Sequence, residues 1–258
     1  MSALAVVTGA SSGIGKAFTE RLAADGYELI TVGRDLDRLQ RLADTLPVDV
    51  TPVAADLATH DGIATVIEGV ADRAVDLLVN NAGVAHYMPF SQLPEERANE
   101  LLFVKVIAPT LLARAVAPGM VDRRAGTIIN VAGMLAYSGP APLEQLPLRR
   151  AVYVGANAHL VAFSETLAAE LAADGIAVQA LCPGVVATEF HQRQGIDMSG
   201  APRMSPHDVV TASLRALELG EVICAPSVED HDLLEAVADA DLAAFGAQSV
   251  QLATRYRP

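Results

Sequence analysis

Short runs of apolar, mostly aliphatic residues alternate along the chain with longer segments in which apolar side chains recur every three or four positions. The short runs predict strands, over 4–7, 27–32, 50–54, 76–79, 126–131, 176–181 and 221–225. The longer segments predict helices, over 14–24, 36–45, 61–71, 94–118, 153–173 and 206–219. From about residue 229 the pattern predicts a short helical tail.

The predicted strands are apolar at successive positions rather than at alternate ones. Such strands are buried on both faces, which is typical of a parallel sheet with helices on each side. About seven strands are predicted, whereas a barrel of alternating strands and helices needs eight. We therefore expect a doubly wound α/β fold, in a single domain over 1–258 with a substrate loop at about 188–205.

Composition and charge exclude several classes of protein. Hydrophobic residues make up 52% of the 258 residues and charged residues 19%, which indicates a folded globular chain. The formal net charge of −13 disfavours nucleic acid and anionic membranes as partners. No continuous apolar run reaches the roughly 20 residues that cross a bilayer. The N-terminal segment lacks the cationic start of a secretory signal.

Cysteine is rare, with Cys182 and Cys224 as its two occurrences. Two cysteines cannot frame a structural zinc site, and such low usage suits a reducing compartment. Both fit the environment of small buried apolar residues. We therefore expect a cytoplasmic protein that has no metal site and acts on a small-molecule substrate.

A glycine-rich turn joins the first predicted strand to the first predicted helix. Residues 8–15 of this turn are Thr-Gly-Ala-Ser-Ser-Gly-Ile-Gly. Glycine permits positive φ angles and lets backbone N–H groups approach a pyrophosphate at a helix N-terminus. Glycines alone would equally fit an ordinary tight turn, but the strand–turn–helix context favours a dinucleotide-binding loop.

Further motifs follow this turn in a fixed order: Asp56-Leu57, Asn80-Asn81-Ala82-Gly83, Tyr153 near a helix start, and Pro183-Gly184 with Thr188. With them the chain resembles the short-chain dehydrogenase/reductase family over about 4–225. The resemblance implies a Rossmann fold and a nicotinamide cofactor. It also implies a set of cofactor-binding residues, namely Gly9, Ser11, Ser12, Gly13, Ile14, Gly15, Asp56, Leu57, Asn80, Ala82, Gly83, Tyr153, Asn157, Pro183, Gly184, Val186 and Thr188.

The end of the second predicted strand bears on the choice between NADP and NAD. An acidic residue there accepts hydrogen bonds from the ribose 2′-hydroxyl and repels a 2′-phosphate. In this chain the position falls at Gly33, followed by Arg34. A guanidinium binds phosphate through a planar fork, so the sequence favours NADP over NAD. The alternative is that Arg34 is a solvated charge beside Asp35 and Asp37.

The resemblance implies a reaction centre made of a tyrosine, a lysine four residues later, a serine and an asparagine. Tyr153 matches the tyrosine. Asn157 stands at the lysine position, Gly133 at the serine position and Lys105 at the asparagine position. The missing serine hydroxyl removes a donor to the substrate carbonyl, a loss that typically raises a barrier by about 2.7–4 kcal/mol.

The exchange of lysine and asparagine affects the acidity of the tyrosine. A phenol has a reference pKa near 10, and a nearby cation makes proton transfer at neutral pH feasible. Asn157 is neutral, although its amide can hydrogen-bond a ribose hydroxyl. We predict that Lys105 directs its ammonium toward Asn157 and Tyr153 and partly restores the charge. The alternative is that its flexible stem carries the ammonium to solvent or to a carboxylate.

Other polar residues fall near the expected site. Ser138 is a candidate for the missing hydroxyl or a simple turn residue. His86 is expected to line the pocket, with an acid–base role as the alternative. His191 lies in the substrate loop, where it contacts substrate or is exposed, and His159 is expected to point away from the site. The proline-rich loop 137–150, with Arg149 and Arg150, is either a lid or an exposed insertion.

Three functions remain open on this sequence. The expected one is an NADP-dependent oxidoreductase acting on a carbonyl or alcohol, with Tyr153 as acid and base. The others are a non-redox enzyme, such as a cyclase, dehydratase or isomerase, and an inactive cofactor-binding protein. The helices at 94–118 and 153–173 carry apolar residues on more than one face. Because the family pairs these helices between subunits, a homodimer or homotetramer is expected.

Overall fold

A computed structural model of the chain describes residues 2–141, 149–198 and 200–257. It divides into two compact units, Met1–Pro226 and Ser227–Pro258. The first unit contains the sheet and the candidate site. The expectation of one domain over the whole chain stays a prediction.

The first unit is built on one sheet of seven parallel strands in the order β3-β2-β1-β4-β5-β6-β7. The strands are β1 Leu4–Thr8, β2 Glu28–Gly33, β3 Val50–Ala54, β4 Val75–Asn80, β5 Gly126–Val131, β6 Ile176–Leu181 and β7 Ile223–Cys224. The chain moves outward from β1 in one direction, then crosses back to β4 and continues in the other. This order confirms the predicted doubly wound α/β fold.

Helices follow the strands as the amphipathic pattern predicted. They are α1 Gly13–Ala24, α2 Leu36–Ala43, α3 His60–Val70, α4 Glu95–Leu102, α5 Ala108–Arg123, α6 Ala151–Leu171, α7 Phe190–Arg193, α8 Pro206–Leu219 and α9 Asp232–Gly246. Side chains of β1 show why both faces of the sheet are apolar. Leu4 and Val6 pack in a core cluster with α3 and α5, whereas Ala5 and Val7 pack in a second cluster with α1 and α8.

The long helix predicted over 94–118 is interrupted by a wider turn. Between α4 and α5 the segment Phe103–Ile107 forms a π-helix. Such turns are rare and are frequent at functional sites. The continuous helical segment Glu95–Arg123 is long and apolar enough, by length and composition, to cross a bilayer. The sequence alone had shown no uninterrupted apolar run of that length, because polar residues are interspersed in this segment. Buried core helices of water-soluble proteins pass the same test, and 44% of its most apolar window is buried.

The second unit contains α9 and a short 3₁₀ turn at Thr254–Tyr256. Several of its large apolar side chains are exposed, including Leu233, Leu242 and Phe245. The sequence predicted a helical tail from about residue 229, and α9 lies within that stretch.

Candidate active site

A cavity of about 930 Å³ opens at the carboxyl ends of the central strands. This is the place where open α/β sheets bind their ligands, beside the point at which the strand order reverses. The turn between β1 and α1 forms one end of the cavity, and the residues after β4, β5 and β6 form its walls. The cavity therefore joins the predicted phosphate turn to the predicted reaction centre.

The phosphate end is shaped by backbone geometry. Gly9 and Gly13 have φ angles of 65° and 55°, in the left-handed region that favours glycine. A Cβ at Gly9 would lie 2.9 Å from the Asn81 Nδ2 atom, and one at Gly13 would lie 2.9 Å from the Thr188 Cγ2 atom. Ser12, the N-cap of α1, makes no side-chain capping hydrogen bond. The N-terminal N–H groups of α1 thus face the cavity without a side-chain cap, as an anion site requires.

Two polar side chains hold the glycine turn in place. The Thr8 hydroxyl accepts hydrogen bonds from the backbone N–H groups of Asn81 and Ala82, at 2.9 and 3.0 Å. The Asn81 amide donates to the carbonyl oxygens of Thr8 and Gly9, at 2.9 and 3.3 Å. These bonds tie the end of β1 to the segment after β4. They make Asn81 the residue of its motif that supports the phosphate end, although Asn80 had been predicted.

The neighbouring Asn80 serves the sheet instead. Its amide donates to the Asn130 Oδ1 atom at 2.9 Å and to the carbonyl oxygen of Pro109 at 3.3 Å. The side chains of successive residues in a strand point to opposite faces of the sheet. The Asn80 side chain is therefore buried, whereas that of Asn81 lines the cavity.

Tyr153 lies at the reaction end, on the first turn of α6. Its side chain is 9% exposed and lines the cavity. Burial raises the pKa of its phenol to about 12, while the neighbouring Asn157 side chain acts in the opposite direction. Tyr87 packs edge-on against its ring at 5.6 Å between centroids, and Phe190 packs on it at 6.2 Å. The phenol is therefore protonated at neutral pH and surrounded by aromatic rings.

Lys105 projects from the π-helix into the same end of the cavity. Its ammonium nitrogen donates to the carbonyl oxygens of Val131 and Ala132, at 2.8 and 3.4 Å. The same nitrogen lies 5.8 Å from the centre of the Tyr153 ring. Lys105 is 3% exposed, and burial lowers the pKa of its amine to about 8. Its side chain thus reaches neither solvent nor a carboxylate of the described residues, in contrast to the alternative interpretation of the sequence.

Asn157 is buried one turn beyond Tyr153. Its amide nitrogen donates to the backbone carbonyl oxygen of Tyr153 at 2.7 Å, because a short polar side chain can bond back to the preceding helical turn. Among the described residues its Oδ1 atom has no hydrogen-bond partner. A Cβ at Gly133 would lie 3.6 Å from this oxygen. The unpartnered Asn157 oxygen therefore lies near Gly133, the position at which the family's reaction centre has a serine.

Most of the predicted site residues line the cavity: Gly9, Ser12, Gly13, Ile14, Ala82, Gly83, Lys105, Tyr153, Pro183, Gly184, Val186 and Thr188. The remaining ones do not: Ser11, Gly15, Arg34, Asp56, Leu57, Asn80 and Asn157. Gly15 packs the helix on the turn, since a Cβ there would lie 2.3 Å from the Gly9 carbonyl oxygen. Asp56 accepts from the N–H of Ala58, and Leu57 belongs to the core.

Two arginines lie at the end of β2 and in the first turn of α2. Arg34 is exposed, with its guanidinium 3.7 Å from a carboxylate oxygen of Glu100. Arg38 donates to the Ser11 carbonyl oxygen at 3.4 Å and pairs with Glu189 at 3.2 Å. Asp35 caps α2 by accepting from the N–H of Arg38. Sequence reasoning missed Arg38, whose partner Glu189 lies in the distant substrate loop.

The other candidate groups have separate environments. Ser138 lines the cavity, but its hydroxyl donates to the Leu135 carbonyl oxygen at 2.8 Å. His86 lies 2.9 Å from Glu100 and does not line the cavity. His159 stacks on Phe163 and contacts Thr110, away from the cavity as predicted.

His191 lines the cavity beside Phe190. Burial, assisted by Arg203, lowers the pKa of its imidazole, so the ring is neutral at neutral pH. The proposed lid at 137–150 lies partly outside the described residues, which omit 142–148. Arg150, at its end, donates to the carbonyl oxygens of Gly139 and Ala141.

Comparison with known proteins assigns the chain to a family. The family model described as short chain dehydrogenase matches residues 3–198. The chain belongs to the short-chain dehydrogenase family. The resemblance seen in its motifs is thereby confirmed.

Solved structures of short-chain dehydrogenases have the same fold. A short-chain dehydrogenase from Sphingobium yanoikuyae, in complex with NADPH, is 31% identical and superimposes with a TM-score of 0.92, over 99% of this chain and all of that one. The bulky-bulky ketone specific alcohol dehydrogenase from Comamonas testosteroni is 26% identical, with a TM-score of 0.86 and 99% coverage of both chains.

A human relative introduces a different possibility. The human protein named inactive hydroxysteroid dehydrogenase-like protein 1 is 38% identical over 193 residues. The match covers 72% of this chain but only 56% of the human protein. The chain thus spans little more than half the length of this curated relative.

Proposed function

We propose that the protein is an NADP(H)-dependent oxidoreductase that interconverts a carbonyl compound and an alcohol, with an atypical reaction centre. One observation carries this proposal: the Lys105 ammonium lies 5.8 Å from the Tyr153 ring in the cavity that also contains the glycine turn. A buried cation is thus present beside the acid although the family's lysine position holds Asn157.

The residues at the phosphate end fit a dinucleotide. Side chains at Gly9 and Gly13 would fill the cradle, and the uncapped N-terminus of α1 offers N–H donors to a pyrophosphate. When bound, NADPH supplies hydride at the nicotinamide end. Pro183, Gly184 and Thr188 line the wall that would hold that end.

Tyr153 is the proton donor to the carbonyl oxygen in the proposed reduction. The pKa of its phenol is raised to about 12 by burial, so it carries its proton at neutral pH. Giving up that proton creates a phenolate, and a cation within about 6 Å stabilises this charge. Lys105 supplies that cation from the π-helix at Phe103–Ile107 rather than from α6, which holds Asn157 at the family's lysine position.

The preference for NADP rests on two guanidinium groups near the end of β2. Arg34 and Arg38 both lie there, and Gly33 offers no carboxylate to repel a 2′-phosphate. Asp35 is engaged as the cap of α2. A phosphate must draw Arg34 from Glu100 or Arg38 from Glu189, so we expect a moderate preference for NADPH over NADH.

The substrate part of the cavity favours a bulky apolar carbonyl compound. It is lined by apolar and aromatic side chains, including Tyr87, Leu135, Phe190 and Met198. The Comamonas testosteroni enzyme, which matches the whole chain, is specific for bulky-bulky ketones by its description.

Calorimetry with NADPH and NADH, combined with NADPH oxidation over a panel of small and bulky aryl ketones, tests the proposal. We expect NADPH to bind more tightly and bulky ketones to be reduced. NADPH binding without turnover of any ketone would refute oxidoreductase activity on this class. No binding of either nucleotide would refute the cofactor assignment as well.

A second candidate is a protein that binds the cofactor without transferring hydride. The human relative described as inactive favours it, as do the absent hydroxyl at Gly133 and the neutral Asn157. A non-redox enzyme, such as a cyclase, dehydratase or isomerase that uses Tyr153 for proton transfer, would give the same result in this experiment. Tight NADPH binding without turnover would select this candidate.

We also propose a cytoplasmic homodimer or homotetramer without nucleic-acid or membrane partners. Leu102 on α4 is exposed, and Phe163 and Leu167 on α6 are only partly buried. Pairing these helices with a second copy would cover them. Light scattering across a dilution series tests this assembly, and a monomer at every concentration would refute it.

A further inference from the structure

Lysine is used very sparingly in this chain. The sequence contains sixteen arginines and two lysines, Lys16 and Lys105. Lys16 is exposed on α1 and pairs with Glu20. Lys105 is instead buried at the reaction end of the cavity. A cation alone could be supplied by arginine, whereas only lysine can lose its proton and act as a nucleophile near neutral pH.

The hydrogen bonds of Lys105 suit a neutral amine. A neutral amine has two N–H donors and one lone pair, and the structure provides two acceptors, the carbonyl oxygens of Val131 and Ala132. Within the described part of the chain, no carboxylate pairs with this nitrogen. Burial without a counter-ion favours the neutral form and lowers the pKa to about 8.

Lys105 is among the residues that line the cavity, so a ligand in the cavity can reach its side chain. Gly83, which also lines the cavity, has no side chain beside the amine; a Cβ there would lie 3.8 Å from the Lys105 nitrogen. The phenol of Tyr153 belongs to the same cavity. The amine therefore has an approach path for a ligand and a proton donor nearby, which are the two requirements of imine formation.

We propose that Lys105 is a nucleophilic amine that forms an imine with aldehydes or ketones entering the cavity. The lone pair of the nitrogen attacks the carbonyl carbon, and the carbonyl oxygen takes a proton from Tyr153 or water. The attacking nitrogen returns one proton to that donor, which leaves a neutral carbinolamine. The carbinolamine hydroxyl then takes a second proton from the donor and leaves as water, the remaining N–H proton returns to the donor, and a C=N bond forms. Atoms and charges balance without an oxidant or reductant, and hydrolysis reverses the reaction.

This reaction does not depend on the proposed hydride transfer. A bound dinucleotide would place its nicotinamide end near Lys105, so the imine belongs to the cofactor-free protein. An imine withdraws electrons from the adjacent carbon and promotes proton removal there. Amine catalysis of isomerisation or dehydration in this cavity is thus chemically available, and it is separate from reduction by NADPH.

Trapping of the imine provides the test. The full-length protein without nucleotide is incubated at pH 7.5 with 2-naphthaldehyde and sodium cyanoborohydride, and labelling is followed by peptide mass mapping. At that pH an amine with pKa near 8 is neutral on the order of a hundred times more often than an ordinary lysine. We therefore expect Lys105 to be labelled at least tenfold faster than Lys16, in the same molecules.

The two lysines make the experiment internally controlled. The Lys16→Arg variant should still be labelled rapidly at residue 105. The Lys105→Arg variant should lose this rapid labelling. Labelling in urea shows that both peptides are detected equally. If Lys105→Arg fails to fold, the site-resolved rates in the unmodified protein decide. A label on Lys16 and the N-terminus, with Lys105 slower than Lys16, would overturn the proposal.

Discussion

The two ends of the cavity depend on different parts of the polypeptide. At the phosphate end, the surface is defined by glycine conformations, a helix N-terminus and backbone groups held by the Thr8 and Asn81 side chains. At the reaction end, the surface is defined by side chains, chiefly Tyr153 and Lys105. A binding surface made of backbone groups depends on one local conformation. At a site made of side chains, a lysine on a different helix can supply the same positive charge. The same chain can therefore keep a dinucleotide cradle and carry a rearranged reaction centre.

Tyr153→Phe should break the reaction end most strongly. Removing the proton donor should lower kcat/KM for ketone reduction by roughly 10²- to 10⁴-fold. NADPH affinity should stay within a few-fold, because the phosphate end is unchanged. Steady-state kinetics and calorimetry measure the two quantities. An equal loss of both would mean that Tyr153 mainly holds the cavity in shape.

Lys105→Met should have the next largest effect. At about 6 Å and an effective dielectric constant of 20, a cation stabilises a phenolate by roughly 2–3 kcal/mol. Its loss should lower kcat/KM by roughly 30- to 150-fold, with little change in NADPH affinity.

The paired variant Lys105→Asn with Asn157→Lys sharpens this result by moving the cation to α6. It should recover part of the activity that each single replacement loses. The loss of kcat/KM in the double variant, expressed as a free energy, could instead equal the sum of the two single losses. That result would show that the two positions act independently.

The pH dependence of reduction should also report the amine. Below about 8 Lys105 is an ammonium, and it loses its charge as pH rises through that pKa. Reduction should therefore be constant at lower pH and fall above 8, by about tenfold at pH 9. Tyr153, with a pKa of about 12, remains protonated over this range. Lys105→Arg should flatten the profile, and an unchanged decline in that variant would assign it to another group.

Gly13→Ala should weaken the phosphate end specifically. Gly13 combines a φ of 55° with a Cβ position 2.9 Å from Thr188, so alanine brings both strain and a clash. We expect NADPH affinity to fall roughly tenfold, with strain of about 1–3 kcal/mol. Gly26→Ala is the matched control, since φ is 85° but no atom lies within 4 Å of its Cβ position. Calorimetry should show unchanged affinity in that control, and similar losses in both would indicate strain alone.

The sequence predicted the strands and most helices because burial on two faces and helical spacing leave strong local signals. It did not reveal the π-helix at Phe103–Ile107, since an all-apolar segment has the same pattern with or without a wider turn. The sequence did predict that Lys105 lies near Tyr153, because lysine and asparagine stand at each other's expected positions, and the structure agrees. Its bonds to Val131 and Ala132 could not be inferred, because they join residues about 26 positions apart.

The arginine pair at the edge of the cavity should give the smallest effect. Glu189 accepts hydrogen bonds from Arg193 and Arg38, which lower the pKa of its carboxyl group. It therefore competes, as a full negative charge, with a 2′-phosphate for Arg38. Because Glu189 and Arg38 are substantially exposed, their pairing contributes little to stability.

Glu189→Gln should consequently tighten NADPH binding by about two- to fivefold and leave NADH binding unchanged, with the difference shrinking at high salt. Arg38→Gln should have the opposite effect on NADPH. Paired calorimetric titrations with both nucleotides at low and high ionic strength measure these shifts. If NADH tightened as much as NADPH, Glu189 would act through the substrate loop rather than through the phosphate. Selectivity for the cofactor would then have to be assigned to Arg34, whose partner Glu100 lies on α4 rather than on the loop.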